Sequence, residues 1–168
     1  RLIFRPTRAY VRLRDRSLRP EACRDAAARG GELEALARVY LDAGCRSELE
    51  SRTAWEAASA AALHLQELGG LPIMSRSLET RLPERVRARR ANRLGADLIV
   101  AFQLDSDSQN CVFYFASEHS QSEVGEKLAK TVASRTGGQV EGRANALLKE
   151  TSAPAIVVSV AELSAGIG

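Results

Sequence analysis

Apolar and polar positions along this chain switch between the period of a strand and that of a helix, and the glycine pairs Gly30/Gly31, Gly69/Gly70 and Gly137/Gly138 punctuate the changes. Val39, Tyr40 and Leu41 form a short apolar run that stops at Asp42-Ala43-Gly44, as a strand ending in a turn would. Thr53 to Glu56 has the S/T-x-x-E spacing of a capping box, and Trp55, Ala58, Ala62 and Leu65 follow at helical intervals until Gly69. Leu71 to Ser75 reads as a second strand. Pro83 suits the first turn of a helix that places Leu82, Val86 and Leu94 on or near one face and stops at Gly95. Leu98 to Leu104 is almost wholly apolar, the pattern of a central strand covered on both faces. Cys111 to Ala116 is a further strand. Ser120 to Glu123 then repeats the capping-box spacing before the stripe Val124, Leu128, Val132, which ends at Gly137. Ala155 to Val160 completes the series as a buried strand. Strands alternating with helices predict an α/β fold, with a mostly parallel or mixed central sheet and helices on both faces. Ligands of such sheets bind at the carboxyl ends of the strands.

Composition changes this picture little. The 168 residues, 45% hydrophobic, suit one domain with a real core. A net charge of +3 from 24 basic and 21 acidic residues gives no sign of nucleic-acid binding. No apolar run approaches the roughly 18 residues of a spanning helix, so any membrane contact is expected through segments outside this chain. The opening at Arg1 suggests a fragment or a processed form. Residues 1–37 read as an Arg-rich extension packed on the domain of residues 38–168. It holds a short strand around Tyr10 to Leu13 and a helix after Pro20, with Arg1, Arg5, Arg8, Arg12, Arg14, Arg16 and Arg19 set against Asp15. That cluster, and the row Arg85, Arg89 and Arg93 on one helix face, read first as solvated surface and second as sites for an anionic partner. Cys23, Cys45 and Cys111 are too far apart for a zinc knuckle and leave the redox compartment open.

Four segments carry a resemblance. VYLDAGCRS is similar to an opening strand with an Asp-Pro-Gly-His-Gly-Gly turn, Cys45 standing at the histidine. RLPERVRARRANRLGADLIVAFQLD is similar to a Leu-x-x-Arg-x-x-x-Ala-Asn helix and a strand ending Ser-Ile-His-Ala-Asn. Arg85 or Arg89, with Ala91 and Asn92, keeps the helix pattern, and Gln103 stands at the histidine. CVFYFASEHSQSEVGEKLAKTV resembles a strand, serine-rich loop and helix. NALLKETSAPAIVVSVAELS resembles a Leu-Arg-Glu-Thr-x-x-Pro-Ala segment and the strand after it, with Ser159 at a catalytic glutamate. In this order and spacing, from about Arg38 to Ala165, the chain resembles the zinc-dependent N-acetylmuramoyl-L-alanine amidases, which cleave the lactyl-amide bond of peptidoglycan.

The resemblance implies zinc held by two histidines and a glutamate, with a second glutamate as general base. Such a metal takes three N or O ligands and a water whose pKa it lowers to about 7. Here Cys45, Gln103 and Ser159 fill three of those four places. The ligand glutamate near the start of the first helix aligns to about Ala54, with Glu50 and Glu56 as rivals and Glu56 already employed by the capping box. A carboxamide and a hydroxyl are poor zinc ligands. The expectation is therefore a degenerate amidase-like domain of the bacterial cell envelope, periplasmic or otherwise extracytoplasmic, with no metal or other cofactor. It would bind peptidoglycan or an envelope protein in a vestigial cleft of Cys45, Ala54, Gln103 and Ser159, with Cys45, Gln103 and Ser159 touching the ligand. The alternative is a hydrolase working through a Cys45 nucleophile with His119 as its base, or through a metal site in a different register. His64, inside the alanine-rich helix, reads as a surface or packing residue.

Overall fold

The computed structural model describes residues 38–76, 81–105 and 110–160. The expected extension of residues 1–37, with its strand and helix, lies outside them. In chain order the elements are β1 (Arg38–Ala43), α1 (Glu48–Glu67), β2 (Leu71–Met74), α2 (Glu84–Arg93), β3 (Leu98–Leu104), β4 (Cys111–Phe115), α3 (Glu123–Thr136), β5 (Gln139–Arg143), α4 (Ala146–Glu150) and β6 (Ala155–Val160). The strands form one sheet in the order β2-β1-β3-β6-β4-β5. All neighbours are parallel except β4 and β6, so the sheet is mixed, and β3 lies inside it as its apolar run requires.

Side-chain alternation along the strands builds two cores. Val39, Leu41, Ala43, Leu98, Val100 and Ile156 face α1 and α3, which offer Ala54, Ala58, Ala129, Val132 and Ala133. Tyr40, Ile99, Ala101, Phe113 and Val157 face α2 and α4, which offer Ala88, Ala91, Leu147 and Leu148. Alanines let these helices approach the sheet closely.

Three local expectations are corrected. The first helix starts at Glu48 rather than near Thr53. Its cap is Ser47, whose side chain accepts from the Glu50 amide at 3.1 Å, so Ser47 to Glu50 is the operative S-x-x-E spacing. The third helix is capped by Ser122, which accepts from the Gly125 amide at 3.0 Å, while Ser120 closes a turn with Ser117. On α2, Val86 and Leu94 are exposed, and the buried residues are Arg87, Ala88 and Ala91. This helix has too few large apolar residues for periodicity to find its inner face, because a guanidinium occupies that face. Gly137 closes α3 at φ 71, a left-handed conformation that favours glycine. The edge strand β5 and the short helix α4 went unread in the pattern.

Tyr40 lies fully buried, and among the described residues its hydroxyl has no hydrogen-bond partner. Burial, and then the Asp42 charge, pushes its pKa to about 12. Between pH 10 and 12 the unfolded tyrosine loses its proton while the native one keeps it, so this group lowers stability as pH rises through that window. Tyr40→Phe is expected to be neutral or stabilising by up to about 1 kcal/mol at neutral pH, since no native bond is lost. It should also lessen the alkaline loss. Urea unfolding at neutral and alkaline pH checks both; a clear destabilisation at neutral pH would show that the hydroxyl has a partner.

Candidate functional site

The carboxyl ends of β1, β3 and β6 meet the β1–α1 loop and the start of α2. Gly44 holds the loop against β3, its amide donating to the Phe102 carbonyl at 2.8 Å. A Cβ there would lie 2.9 Å from both the Phe102 carbonyl oxygen and the Glu50 carboxyl group, so only glycine permits this approach. Arg76, just beyond β2, ties the loop from the other side. Its Nε donates to the Ala43 carbonyl at 3.0 Å, and its Nη2 donates to those of Gly44 and Ser51 at 2.9 and 3.0 Å. Ser75 Oγ accepts from the Ala43 amide at 3.2 Å.

Cys45 follows in the loop, half-buried, with its thiol 3.7 Å from the Leu82 carbonyl. Gln103 and Ser159 are register partners on β3 and β6, both buried, on the α2 side of the sheet. Gln103 Nε2 donates to Glu84 Oε1 at 3.2 Å, which brings the first residue of α2 into the cleft. Ala54 is elsewhere: it is wholly buried in the core between α1 and the sheet and presents no polar group to the strand ends. One helical turn earlier, Glu50 is 2% exposed and aims its carboxylate at the loop. Oε1 accepts from Arg46 Nε at 3.0 Å, Arg46 Nη2 at 2.7 Å and the Leu104 amide at 3.2 Å, and Oε2 accepts from the Arg46 amide at 2.5 Å. The hydrogen bond with Glu50 raises the Arg46 pKa above its ordinary value, against a smaller opposing effect of burial. Glu56 is exposed in mid-helix.

Beneath the cleft, Arg87 forms a buried ion pair with Asp42. Burial pushes the Asp42 carboxyl above its ordinary pKa, and the Arg87 charge opposes this. Arg87 is the arginine that precedes Ala91-Asn92 at the Arg-x-x-x-Ala-Asn spacing, while Arg85 and Arg89 are exposed. Asn92 joins α2 to the turn after α4, donating to the Glu150 carbonyl at 2.8 Å and accepting from the Ser152 amide at 2.8 Å. Arg46, Glu50, Arg76, Glu84 and Arg87 were thus missing from, or secondary in, the sequence reading. The S-x-x-E spacing at Ser47 was the available signal for Glu50.

The histidines stand apart from the cleft. His119 follows β4, which runs antiparallel to β6 with Tyr114 beside Ile156, so it emerges at the amino ends of β3 and β6. The length of β6 separates it from the cleft, about 16 Å at 3.3 Å per residue. This corrects the pairing of Cys45 with His119. His64 lies on α1 beside Glu67, 3.3 Å away.

A zinc ion of the kind implied by the resemblance does not fit this donor set. Among the described residues, no three His, Cys, Asp or Glu side chains converge as a metal-binding group. Of the carboxylates near the cleft, both oxygens of Glu50 already accept hydrogen bonds, and Glu84 accepts from Gln103.

The six-stranded, mostly parallel mixed sheet with its flanking helices is similar in fold to N-acetylmuramoyl-L-alanine amidase catalytic domains. The Ami1 amidase of Mycobacterium abscessus superposes with a TM-score of 0.58 at 17% identity, over 74% of this chain and 82% of that one. AmiC2 of Nostoc punctiforme gives 0.56 at 16% identity, over 74% and 78%. The catalytic domain of CwlV from Bacillus (Paenibacillus) polymyxa var. colistinus gives 0.53 at 16%, over the same shares. No protein-family model and no curated protein sequence matches the chain. The likeness is one of fold.

Proposed function

We propose that this chain is a non-catalytic amidase-fold domain of the bacterial cell envelope. It binds peptidoglycan or a cell-wall or division protein in a regulatory or scaffolding role. The observation that carries this reading is the state of Glu50. Its carboxylate stands at the start of the first helix, where the resemblance places a ligand glutamate, yet its oxygens are taken by Arg46 and the Leu104 amide. Where the resemblance calls for two imidazoles and a carboxylate, Cys45, Gln103 and Ser159 carry a thiol, a carboxamide and a hydroxyl. Catalytic zinc needs three good donors and an open position for water, and this set supplies neither. The Gln103 carboxamide and Ser159 hydroxyl, in register at the strand ends, are of the chemical type that pairs with the amides of a stem peptide. Among the described residues no helix is long and apolar enough to cross a membrane.

The test uses protein purified without chelator. Zinc is expected well below one equivalent, with no release of stem peptides from purified sacculi. The native chain should bind sacculi, and the Gln103→Leu, Ser159→Val double variant should bind them more weakly while melting at a similar temperature. Zinc-dependent peptide release would overturn the non-catalytic reading. Equal binding by both proteins would remove the cleft as the binding surface and move attention to the exposed Arg85, Arg89 and Arg93 face of α2.

A further inference from the structure

Arg46 and Glu50 differ sharply in their surroundings: the arginine side chain is 61% exposed and the glutamate 2%. A nearly buried carboxylate needs a compensating cation or several donors, because leaving it unpaired is strongly destabilising. Glu50 has both, and all come from two short pieces of backbone. Arg46 supplies its guanidinium through Nε and Nη2 in a forked contact on Oε1, and its own amide to Oε2. Leu104 supplies its amide to Oε1, and its carbonyl accepts from the same Arg46 Nη2 at 2.7 Å. One guanidinium nitrogen therefore bridges the start of α1 and the end of β3. A metal ion bound to Glu50 would supply the same positive charge, and the same link between loop, helix and strand.

We infer that Arg46 is the resident cation of this cleft, holding Glu50 in the way an external ion would and locking the β1–α1 loop to the end of β3. The inference rests on the reading that the cleft takes no zinc, and it deepens that reading by naming what stands on the carboxylate instead. The planar fork matters as well as the charge, since lysine would offer a point charge without the parallel pair of donors. Other carboxylates face the same guanidinium: Glu84 from α2 and Asp105 from the end of β3 both favour its charged form. A cation is thus favoured at this spot from three elements.

The experiment is a thermal double-mutant cycle with an added-cation arm. Arg46→Ala is expected to lower Tm by about 4–10 °C, as for a charge-assisted contact in a chain of this size. Arg46→Lys should fall between that variant and the native chain. Glu50→Gln should lower Tm too, and the double variant should melt well above the sum of the two losses, because the two side chains act as one unit. Millimolar methylguanidinium chloride or zinc chloride should raise the Tm of Arg46→Ala while leaving the native chain and Glu50→Gln unmoved, which a purely structural arginine would not produce. Additive losses, or a Tm of Arg46→Ala equal to that of the native chain, would overturn the inference, as would the absence of rescue by either cation. Zinc raising the Tm of the native chain would count against the non-catalytic reading instead, and the additivity of the cycle would still judge Arg46 by itself.

Discussion

Arg87→Met is expected to cost about 3–5 kcal/mol, because it strands the fully buried Asp42 carboxylate beneath the sheet. At the size of this chain that is a fall in Tm of roughly 6–20 °C. Replacing both partners, with Asp42→Asn and Arg87→Met together, should recover most of the loss, since no buried charge is then left unpaired. The pH dependence follows from the burial that already raises the Asp42 pKa above 3.8, and loss of the Arg87 charge raises it further. Between the unfolded and folded values the native state holds the extra proton, so stability falls as pH rises through that window. The deficit of Arg87→Met should therefore be full above the raised native pKa and shrink as pH falls towards 3.8. Urea unfolding of the native chain and the single and double variants from acid to neutral pH checks this. A pH-independent deficit, or a double variant as unstable as the single, would show that the guanidinium acts through packing alone.

The second large effect concerns zinc. If the strand ends keep an amidase-like backbone, two imidazoles should be enough to make a site, because Glu50 is already in place. A triple variant, Cys45→His, Gln103→His and Arg46→Ala, installs the implied ligand pair and releases the carboxylate from its guanidinium. Residues that only hydrogen-bond to metal ligands tune affinity by about 10–100-fold, so gaining two direct ligands should raise affinity more than on the order of 100-fold over the native chain. Calorimetric titration with zinc, and metal content after dialysis, should approach one equivalent. With Arg46 retained, uptake should be weaker, since the ion must displace the guanidinium. No uptake by a folded triple variant would mean that positions 45, 50 and 103 do not converge as the resemblance implies.

Much of the architecture could be read from local pattern. The apolar run at Leu98 to Leu104 could only be satisfied inside a sheet, and β3 is there between β1 and β6. The apolar run of β6 and the glycine stops at Gly69, Gly95 and Gly137 likewise follow from solvation and backbone freedom. Helix starts were less legible. Serine and threonine recur near glutamate in this chain, so several S/T-x-x-E spacings compete, and Ser47 and Ser122 were chosen by where the preceding strand ends. At the site, the register of Gln103 and Ser159 could be counted along strands. The place of the carboxylate could not, because the residues before Thr53 read as loop, whereas the helix already begins at Glu48 and carries Glu50 in its first turn.

The sequence by itself determined the α/β class, the inner strand and the helix stops. These follow from periodicity, glycine conformation and residue identity, which are local properties. Only the tertiary structure decided that Glu50 rather than Ala54 lies at the cleft, that Arg87 rather than Arg85 or Arg89 is buried, and that His119 is at the far end of the sheet from Cys45. Each of these depends on which partner lies across from a side chain. For Arg87 it is a carboxylate on another element, for Glu50 an arginine four residues earlier and a strand end, and for His119 the reversed direction of one strand.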